Sequence, residues 1–292
     1  MSNKESENNN HSMSINWFPG HMKKNLDNMR DNIKKIDVVL YVLDSRAPFS
    51  CLNPVIDEIV QNKTILYVVN KIDLIETKDA EKIASKFRDQ NKNVITLQAT
   101  ASTNKSVLLA KLKELVKEKY ENRKKRGVEP VFKVMVIGTP NTGKSTIINT
   151  LYGQKKAITG DRAGVTKANQ WVKISDNFVL LDTPGTLWPK LDNNHVAMSL
   201  SFIGSIKKEV LDEEELGFEL AKYLIKNHPQ LIEKRYAVSD FNREYIEIYE
   251  DILKKMGCII RGGEVDYHRG ATKLIDDFRS GRIGKICLDD LR

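Results

Sequence analysis

Residues 138–145 have the sequence G-T-P-N-T-G-K-S, which fits the phosphate-binding pattern G-x-x-x-x-G-K-[ST]. Its glycines let backbone amides approach a phosphate and form an anion nest at the start of a helix. Lys144 is predicted to bridge the β- and γ-phosphates of a nucleotide, and the Ser145 hydroxyl to bind Mg²⁺. An apolar segment precedes this loop and a helical pattern follows it, which is the context that the motif requires.

Residues 182–185, D-T-P-G, form a second phosphate-side motif. The Asp182 carboxylate is predicted to hold the same Mg²⁺ through water, and the Gly185 amide to contact the γ-phosphate. Thr166, in G-V-T at 164–166, lies in the window of the threonine that completes the Mg²⁺ shell. We also assign four phosphate-loop residues to the nucleotide site: Asn141, Thr142, Gly143 and Thr146.

Residues 70–73, N-K-I-D, form a guanine-recognising tetrapeptide at the end of an apolar segment. The Asp73 carboxylate can accept two hydrogen bonds from guanine, one from its ring N–H and one from its amino group, and adenine does not offer that pair. Combined with the two phosphate-side motifs, this predicts binding of GTP and GDP. Four further residues are assigned to the guanine side: Asn70, Lys71, Ala99 and Thr100.

The order of these motifs is permuted. In a Ras-like chain the guanine motif follows the phosphate loop, whereas here it precedes the loop. Such a permutation is feasible because the termini of a domain are often close together. The predicted fold class is therefore α/β, a doubly wound P-loop GTPase sheet with circularly permuted motif order. The charged segment 117–130 is predicted to be the linker that joins the usual last helix to the usual first strand.

Hydrophobic patterning supports this fold class. Short apolar runs predict strands, and apolar residues at spacings of three and four predict helices. The strands are expected at 38–43, 64–69, 94–97, 131–137, 170–174 and 178–181, and the intervening helices at 80–88, 106–120 and 144–151. Beyond residue 195 the pattern is helical, at 216–226, 242–256 and 271–280. We predict a disordered tail at 1–14, a GTPase domain at 15–195 and a small all-helical C-terminal domain at 196–292.

The composition is 40% hydrophobic and 29% charged over 292 residues, which is ordinary for a globular protein. No apolar run approaches the ~18 residues that span a bilayer, and the polar first fifteen residues do not resemble a secretory signal. The three cysteines match no metal-ligand spacing. We expect a cytoplasmic protein with reduced thiols and no membrane association.

The charge is unevenly distributed. The net charge is +8 in total, with +10 in residues 1–199 and −2 in residues 200–292. A basic surface indicates an acidic partner such as RNA.

The position where Ras-like proteins carry a water-positioning glutamine, directly after D-x-x-G, holds Thr186, followed by Leu187. Some other group must therefore position the attacking water. The sequence leaves open a GTP-gated binding switch with little turnover of its own. A GTPase partner in RNA modification is disfavoured by the permuted order and by the absence of a metal-ligand or nucleophilic cysteine arrangement.

The motifs together resemble the bacterial ribosome biogenesis GTPase A family. The resemblance begins at Ile15 and is carried by segments in the family's order: W-F-P-G-H-M at 17–22, D-S-R-A-P at 44–48, N-K-I-D, the phosphate loop, G-V-T, D-T-P-G-T-L-W-P at 182–189, R-G-G-E-V-D-Y at 261–267 and F-R-S-G-R-I-G at 278–284. It implies a GTPase, monomeric off the ribosome, that acts late in maturation of the large ribosomal subunit. Its partners are the subunit precursor, rRNA and ribosomal proteins, and its helical C-terminal domain contacts rRNA.

The resemblance also implies two residue roles. The proposed catalytic histidine of the family corresponds to His21. Asn141 corresponds to an asparagine that coordinates K⁺ beside the phosphates in related potassium-stimulated GTPases. Such an ion supplies charge stabilisation in the transition state where no arginine finger exists.

Overall fold

The computed structural model describes residues 19–100, 104–127, 129–153 and 170–291. The predicted tail at 1–14 and Thr166 lie outside these residues. The described residues contain six strands: β1 (Val38–Asp44), β2 (Thr64–Asn70), β3 (Asn93–Leu97), β4 (Phe132–Ile137), β5 (Gln170–Ser175) and β6 (Phe178–Asp182). They form one sheet in the order β3-β2-β1-β4-β6-β5, and neighbouring strands are parallel except for the antiparallel pair β5–β6.

Strand β1 is buried along its whole length because it lies in the middle of the sheet with helices on both faces. Its register with β2 places Asp44 beside Asn70, and its register with β4 places Tyr41 beside Ile137. From β1 the chain continues to β2 and β3 on one side of the sheet, and from β4 it continues to β5 and β6 on the other side. The carboxyl ends of β1 and β4 therefore form a topological switch point, where open α/β sheets bind ligands.

Helices cover both faces of the sheet, which confirms the predicted doubly wound α/β class. The helices between and before the strands are α1 (Gly20–Ile33), α2 (Pro54–Val60), α3 (Thr77–Asp89), α4 (Asn104–Lys124) and α5 (Lys144–Tyr152). Helices α4 and α5 pack on one face, in a hydrophobic cluster that includes Leu108, Val134 and Ile147. Helices α1, α2 and α3 belong to the cluster on the other face.

Helix α4 extends further than the sequence predicts, because it occupies residues 117–124 of the segment assigned to a linker. The lysines and glutamates of this segment are good helix formers, so its charge indicates a solvated helix rather than a flexible chain. Arg123 also anchors this end: its Nη2 donates to Asp37 Oδ1 at 2.8 Å, and its guanidinium lies 4.7 Å from the ring centroid of Phe132.

The C-terminal segment is helical, as predicted. It comprises α6 (Asn194–Phe202), α7 (Glu213–Asn227), α8 (Pro229–Tyr236), α9 (Tyr245–Lys255) and α10 (Tyr267–Arg279). Helices α7 and α10 approach closely at Gly217, where a Cβ would lie 2.5 Å from Ala271 Cβ. The apolar side chains of the segment continue the cluster on the α1–α3 face, so the helices and the sheet share one hydrophobic core.

None of the helices that the structure describes is long and apolar enough to cross a membrane. Cys51 and Cys258 are buried, Cys287 is half-buried, and all three are free thiols.

Candidate nucleotide-binding site

The phosphate loop connects β4 to α5 at the switch point. Gly138 has a φ of 144°, and a Cβ there would lie 2.3 Å from the Val42 carbonyl oxygen. Gly143 has a φ of 96°, and a Cβ there would lie 2.2 Å from Asn70 Nδ2. Only glycine fits these two positions, because the loop is pressed against the carboxyl ends of β1 and β2.

Lys144 is the first residue of α5, and its side chain is buried against the loop. Its Nζ donates to the Thr139 carbonyl oxygen at 2.7 Å. Burial lowers the pKa of Lys144 to about 8, although the nearby Asp182 carboxylate acts in the opposite direction. A Cβ on Gly185 would lie 2.7 Å from this Nζ, so the D-T-P-G segment closes directly over the lysine.

Asp182 ends β6 next to the phosphate loop. Burial raises the pKa of Asp182 to about 6, while Lys144 acts to lower it. Its Oδ1 is buried without a hydrogen-bond partner among the described residues. An orphaned carboxylate oxygen beside a phosphate loop fits a site for hydrated Mg²⁺, which Asp182 would hold together with Ser145 in the first turn of α5.

The perturbed lysine predicts a pH dependence of nucleotide affinity. We expect GTP to bind the protonated form of Lys144, whose pKa in the free protein is lowered to about 8. Affinity should therefore fall by about fourfold between pH 7 and 8.5, measured by titration with a fluorescent GTP analogue. Lys144→Ala is the control, since it retains only the pH dependence of other groups. An equal fall in both proteins would contradict the prediction.

Asn70 links the guanine side to the phosphate loop. Its Oδ1 accepts a hydrogen bond from Ala99 N at 2.9 Å, and its Nδ2 donates to the Thr142 carbonyl oxygen at 2.9 Å. The Thr150 hydroxyl, on α5, donates to the Ala99 carbonyl oxygen at 2.7 Å. Lys71 has a left-handed φ of 64°, and its Nζ donates to the Asn141 carbonyl oxygen at 2.7 Å. The structure thus joins these predicted residues in one network.

Two further residues of this network, Asp44 and Arg46, have no functional role in the sequence analysis. Asp44 Oδ2 lies 2.9 Å from Lys71 Nζ, and Arg46 binds both oxygens of the same carboxylate. Burial alone would raise the pKa of Asp44, but the Arg46 and Lys71 cations hold it well below its usual range. The sequence does contain a signal for this pair, because Asp44 and Arg46 stand at the end of a wholly apolar strand. An unpaired charge is costly in such a place, so each residue requires a partner.

The other predicted residues lie at the margin of the network. Asp73 is exposed in a single 3₁₀ turn, Ile72–Leu74, where its carboxylate is accessible to a base. Thr100 is also exposed, and Thr146 is half-buried in the first turn of α5.

His21 lies in a helix that the hydrophobic pattern does not predict. Helix α1 begins at Gly20, and His21 is exposed in its first turn. Pro19 is the N-cap residue, with a non-helical ψ of 148°, and its missing N–H is tolerated there because no hydrogen bond within the helix needs it. The helix ends at Ile33, shortly before the amino end of β1, so its first turn is directed toward the carboxyl edge of the sheet.

Thr186 and Leu187, which follow D-T-P-G where Ras-like proteins carry the glutamine, do not replace its function. The Thr186 side chain is buried, and its hydroxyl donates to the Pro184 carbonyl oxygen at 3.2 Å. Leu187 is fully buried in the core. Neither side chain can orient a water at a γ-phosphate in this arrangement.

The helical segment contacts the phosphate loop directly, which the sequence does not predict. Asn141 Nδ2 donates to the Gly204 carbonyl oxygen at 2.6 Å, and the Ser205 hydroxyl donates to the Pro140 carbonyl oxygen at 2.7 Å. Arg279, at the end of α10, holds the same connection by donating to the carbonyl oxygens of Ser201 and Phe202.

A C-terminal strap, residues 286–289, crosses the loops that follow β1 and β2. Ile286 N donates to the Leu74 carbonyl oxygen at 3.1 Å, next to Asp73, and Leu288 N donates to the Arg46 carbonyl oxygen at 2.6 Å. The buried Asp289 carboxylate accepts hydrogen bonds from Phe49 N, Ser50 N and the Ser50 hydroxyl, at 2.7, 3.0 and 2.5 Å. The strap therefore braces the guanine-recognising loop.

Asp289→Ala is expected to lower the free energy of unfolding by about 3 kcal/mol, because it leaves buried donors unsatisfied. Urea unfolding measures the change. Asp290→Ala, at the exposed neighbouring carboxylate, is the control, with an expected change below about 1 kcal/mol. Equal stability of the two variants would refute a bracing role for Asp289.

Comparisons with known proteins agree with this geometry. Residues 133–249 match the family model described as 50S ribosome-binding GTPase. Ribosome biogenesis GTPase A of Priestia megaterium is 35% identical, over 95% of this chain and 97% of that protein. The Bacillus cereus protein of the same name is also 35% identical, over 95% and 94%.

The fold is similar to that of a solved structure, the GNP-bound YlqF from T. maritima. The TM-score is 0.64 and the identity 24%, over 91% of this chain and 97% of that one. This likeness covers both the sheet and the helical segment. With a permuted set of guanine-nucleotide motifs gathered at one switch point, and with these relatives, the chain is a GTP hydrolase that belongs to the ribosome biogenesis GTPase A family.

Proposed function

We propose that this chain hydrolyses GTP in the cytoplasm during late assembly of the large (50S) ribosomal subunit, and that the precursor particle stimulates the hydrolysis. The contact of the helical segment with the phosphate loop carries the proposal. A particle that binds the helical segment acts on Asn141 through Gly204 and on Pro140 through Ser205. The names of the relatives support the ribosomal partner.

The partners are the subunit precursor, with its rRNA and ribosomal proteins, and the chain is a monomer off the ribosome. Stimulation by a partner is supported by Thr186 and Leu187, because neither of these buried side chains can orient the attacking water. The intrinsic rate is therefore expected to be low.

The test compares GTP hydrolysis with and without purified large-subunit particles, together with co-sedimentation in GDP or in a non-hydrolysable GTP analogue. We expect at least tenfold stimulation, and binding that is stronger with the GTP analogue. Binding that depends on the nucleotide without any stimulation would instead support a GTP-gated switch. Absence of both effects would refute the proposed function.

We propose that His21 acts on the attacking water once the particle orders the site, with Thr166 completing the Mg²⁺ shell. An imidazole nitrogen can orient a water molecule or accept its proton. His21→Ala should bind GTP and particles normally and lose most of the stimulated kcat. The exposed His268, on α10, supplies the control variant His268→Ala. Wild-type stimulated turnover in His21→Ala would exclude this role.

We propose further that Asn141 helps to hold K⁺ beside the phosphates. Its Nδ2 donates to Gly204, which fixes the plane of the amide beside the loop. Hydrolysis should be faster in KCl than in NaCl at equal ionic strength, and Asn141→Ala should abolish the difference. Equal wild-type rates in the two salts would remove the potassium role.

A further inference from the structure

The amino ends of the parallel strands lie at the edge of the sheet opposite the nucleotide site, and basic side chains gather there. Two come from the end of α1, one directly precedes β2, and three come from the end of α4 and the turn after it. We call this set the basic rim: Lys34, Lys35, Lys63, Lys124, Lys125 and Arg126.

Hydrogen bonds hold these segments together as one surface. Asp37, at the entrance to β1, accepts from Arg123 Nη2 at 2.8 Å and from Lys133 N at 2.9 Å, and its own N–H donates to the Lys133 carbonyl oxygen at 2.9 Å. Lys63 Nζ donates to the Ile36 carbonyl oxygen at 3.0 Å. The ends of α1 and α4 and the start of β2 thus meet around Asp37.

The carboxylate at the centre of the rim is paired with a cation outside it. Asp37 forms an ion pair with Arg123, so its charge does not offset that of the rim lysines. Except for the half-buried Lys63, every rim residue is exposed. Like charges crowded together cost stability, so a cluster of this kind indicates a polyanionic partner.

The charge distribution distinguishes the rim from the helical segment. Residues 1–199 carry a net charge of +10, whereas residues 200–292 carry −2. A phosphate backbone is attracted by lysine and arginine, so the electrostatic contribution to RNA binding must come mainly from the first part.

An aromatic side chain lies on β5, the edge strand of the sheet, which β6 separates from β4. Trp171 on β5 is 43% exposed, and Lys133 Nζ lies 5.6 Å from the centroid of its ring. Exposed aromatic rings beside basic residues are stacking platforms for RNA bases.

We propose that the basic rim binds the phosphate backbone of RNA on the assembling particle, an inference that rests on the proposed function and adds the surface of contact. The rim lies at the edge of the sheet opposite the phosphate loop, so RNA and nucleotide can be bound at the same time. Phosphate contacts position a protein on RNA without specifying a sequence, so the rim recognises backbone geometry.

Two charge-reversal variants test the proposal: Lys34→Glu with Lys35→Glu, and Lys124→Glu with Lys125→Glu. The control reverses Lys254 and Lys255, an adjacent pair at the end of α9 in the helical segment. The probes are a fluorescent 20-base-pair RNA duplex, followed by anisotropy between 50 and 200 mM KCl, and purified large-subunit particles. Thermal unfolding and basal GTP hydrolysis of each variant verify that the fold and the nucleotide site are intact.

Each rim pair is expected to weaken duplex binding about tenfold and to make the plot of log affinity against log salt shallower by about 2. The control pair should stay within about twofold of wild type. Wild-type duplex affinity and slope in the rim variants, or an equal loss in the control, would overturn the proposal. So would weaker particle binding with unchanged duplex binding, because the rim would then contact a protein.

The proposal and the function on which it rests fail in different ways. If particles do not stimulate hydrolysis while the rim variants still lose duplex binding, the rim assignment stands and the assembly function fails. If stimulation is present and the rim variants bind the duplex as the wild type does, only the rim assignment fails.

Discussion

Replacing Lys144 by alanine is expected to lower kcat/KM for GTP by at least about 1,000-fold. The lysine is buried at the start of α5 and held against Thr139, so its charge is fixed where the β- and γ-phosphates must lie. In a buried site such a charge interacts strongly with the phosphates, and neither water nor a neighbouring side chain can replace it. The loss should appear in turnover as well as in affinity, because charge develops on the phosphate oxygens during transfer.

A single-turnover assay at saturating GTP separates the chemical step from binding. Lys119→Ala on the exposed face of α4 is the matched control, because it removes one lysine without touching the site. Turnover in Lys144→Ala within about tenfold of wild type would show that residues 138–145 do not form the catalytic phosphate loop.

Asp73→Asn is expected to reduce GTP affinity by a factor on the order of 1,000 and to increase affinity for xanthosine triphosphate. A carboxylate accepts hydrogen bonds from both donor groups of guanine, whereas the amide of asparagine presents an oxygen acceptor and an NH₂ donor, and the NH₂ suits the 2-oxo group of xanthine. The backbone of the loop should not change, because the bonds that shape it involve Asn70, Lys71 and Leu74 rather than the Asp73 side chain.

Competition titrations with GTP, ATP and xanthosine triphosphate measure the change in preference. Glu76→Gln provides the control, since it neutralises an exposed carboxylate three residues away. Unchanged preference for GTP in Asp73→Asn would place guanine recognition elsewhere.

The sheet and the phosphate side of the site could be predicted from sequence because their signals are local. A wholly apolar strand such as β1 and a glycine-rich turn at 138–143 each specify their own structure. The end of α4 was harder to predict because a charged segment suits a helix and a linker equally. Helix α1 was missed because the Pro-Gly pair before His21 is typical of a turn as well as of a helix start.

The remaining features depend on contacts between distant parts of the chain, which no local pattern encodes. Nothing in the sequence around Gly204 indicates that its carbonyl oxygen accepts a hydrogen bond from the Asn141 side-chain amide. Nor does the sequence around Asp289 indicate that its carboxylate accepts hydrogen bonds from the backbone at 49–50. The ion pair of Asp44 and Arg46 could have been predicted from the sequence, since buried charges require partners. The third member, Lys71, could not, because the register of β1 with β2 brings it to Asp44.

Because the strap lies at the C-terminal end of the chain, its contacts with the loops after β1 and β2 form last during synthesis of the protein. Arg46, Ser50 and Leu74 leave the ribosome long before residues 286–289 have been translated. Until then the loops that follow β1 and β2 lack the bonds from Ile286, Leu288 and Asp289. A nascent chain, or a product that terminates early at residue 285, carries every nucleotide motif, but we expect it to bind guanine more weakly because it lacks these bonds. Full affinity for guanine therefore marks a chain that has been translated past the strap.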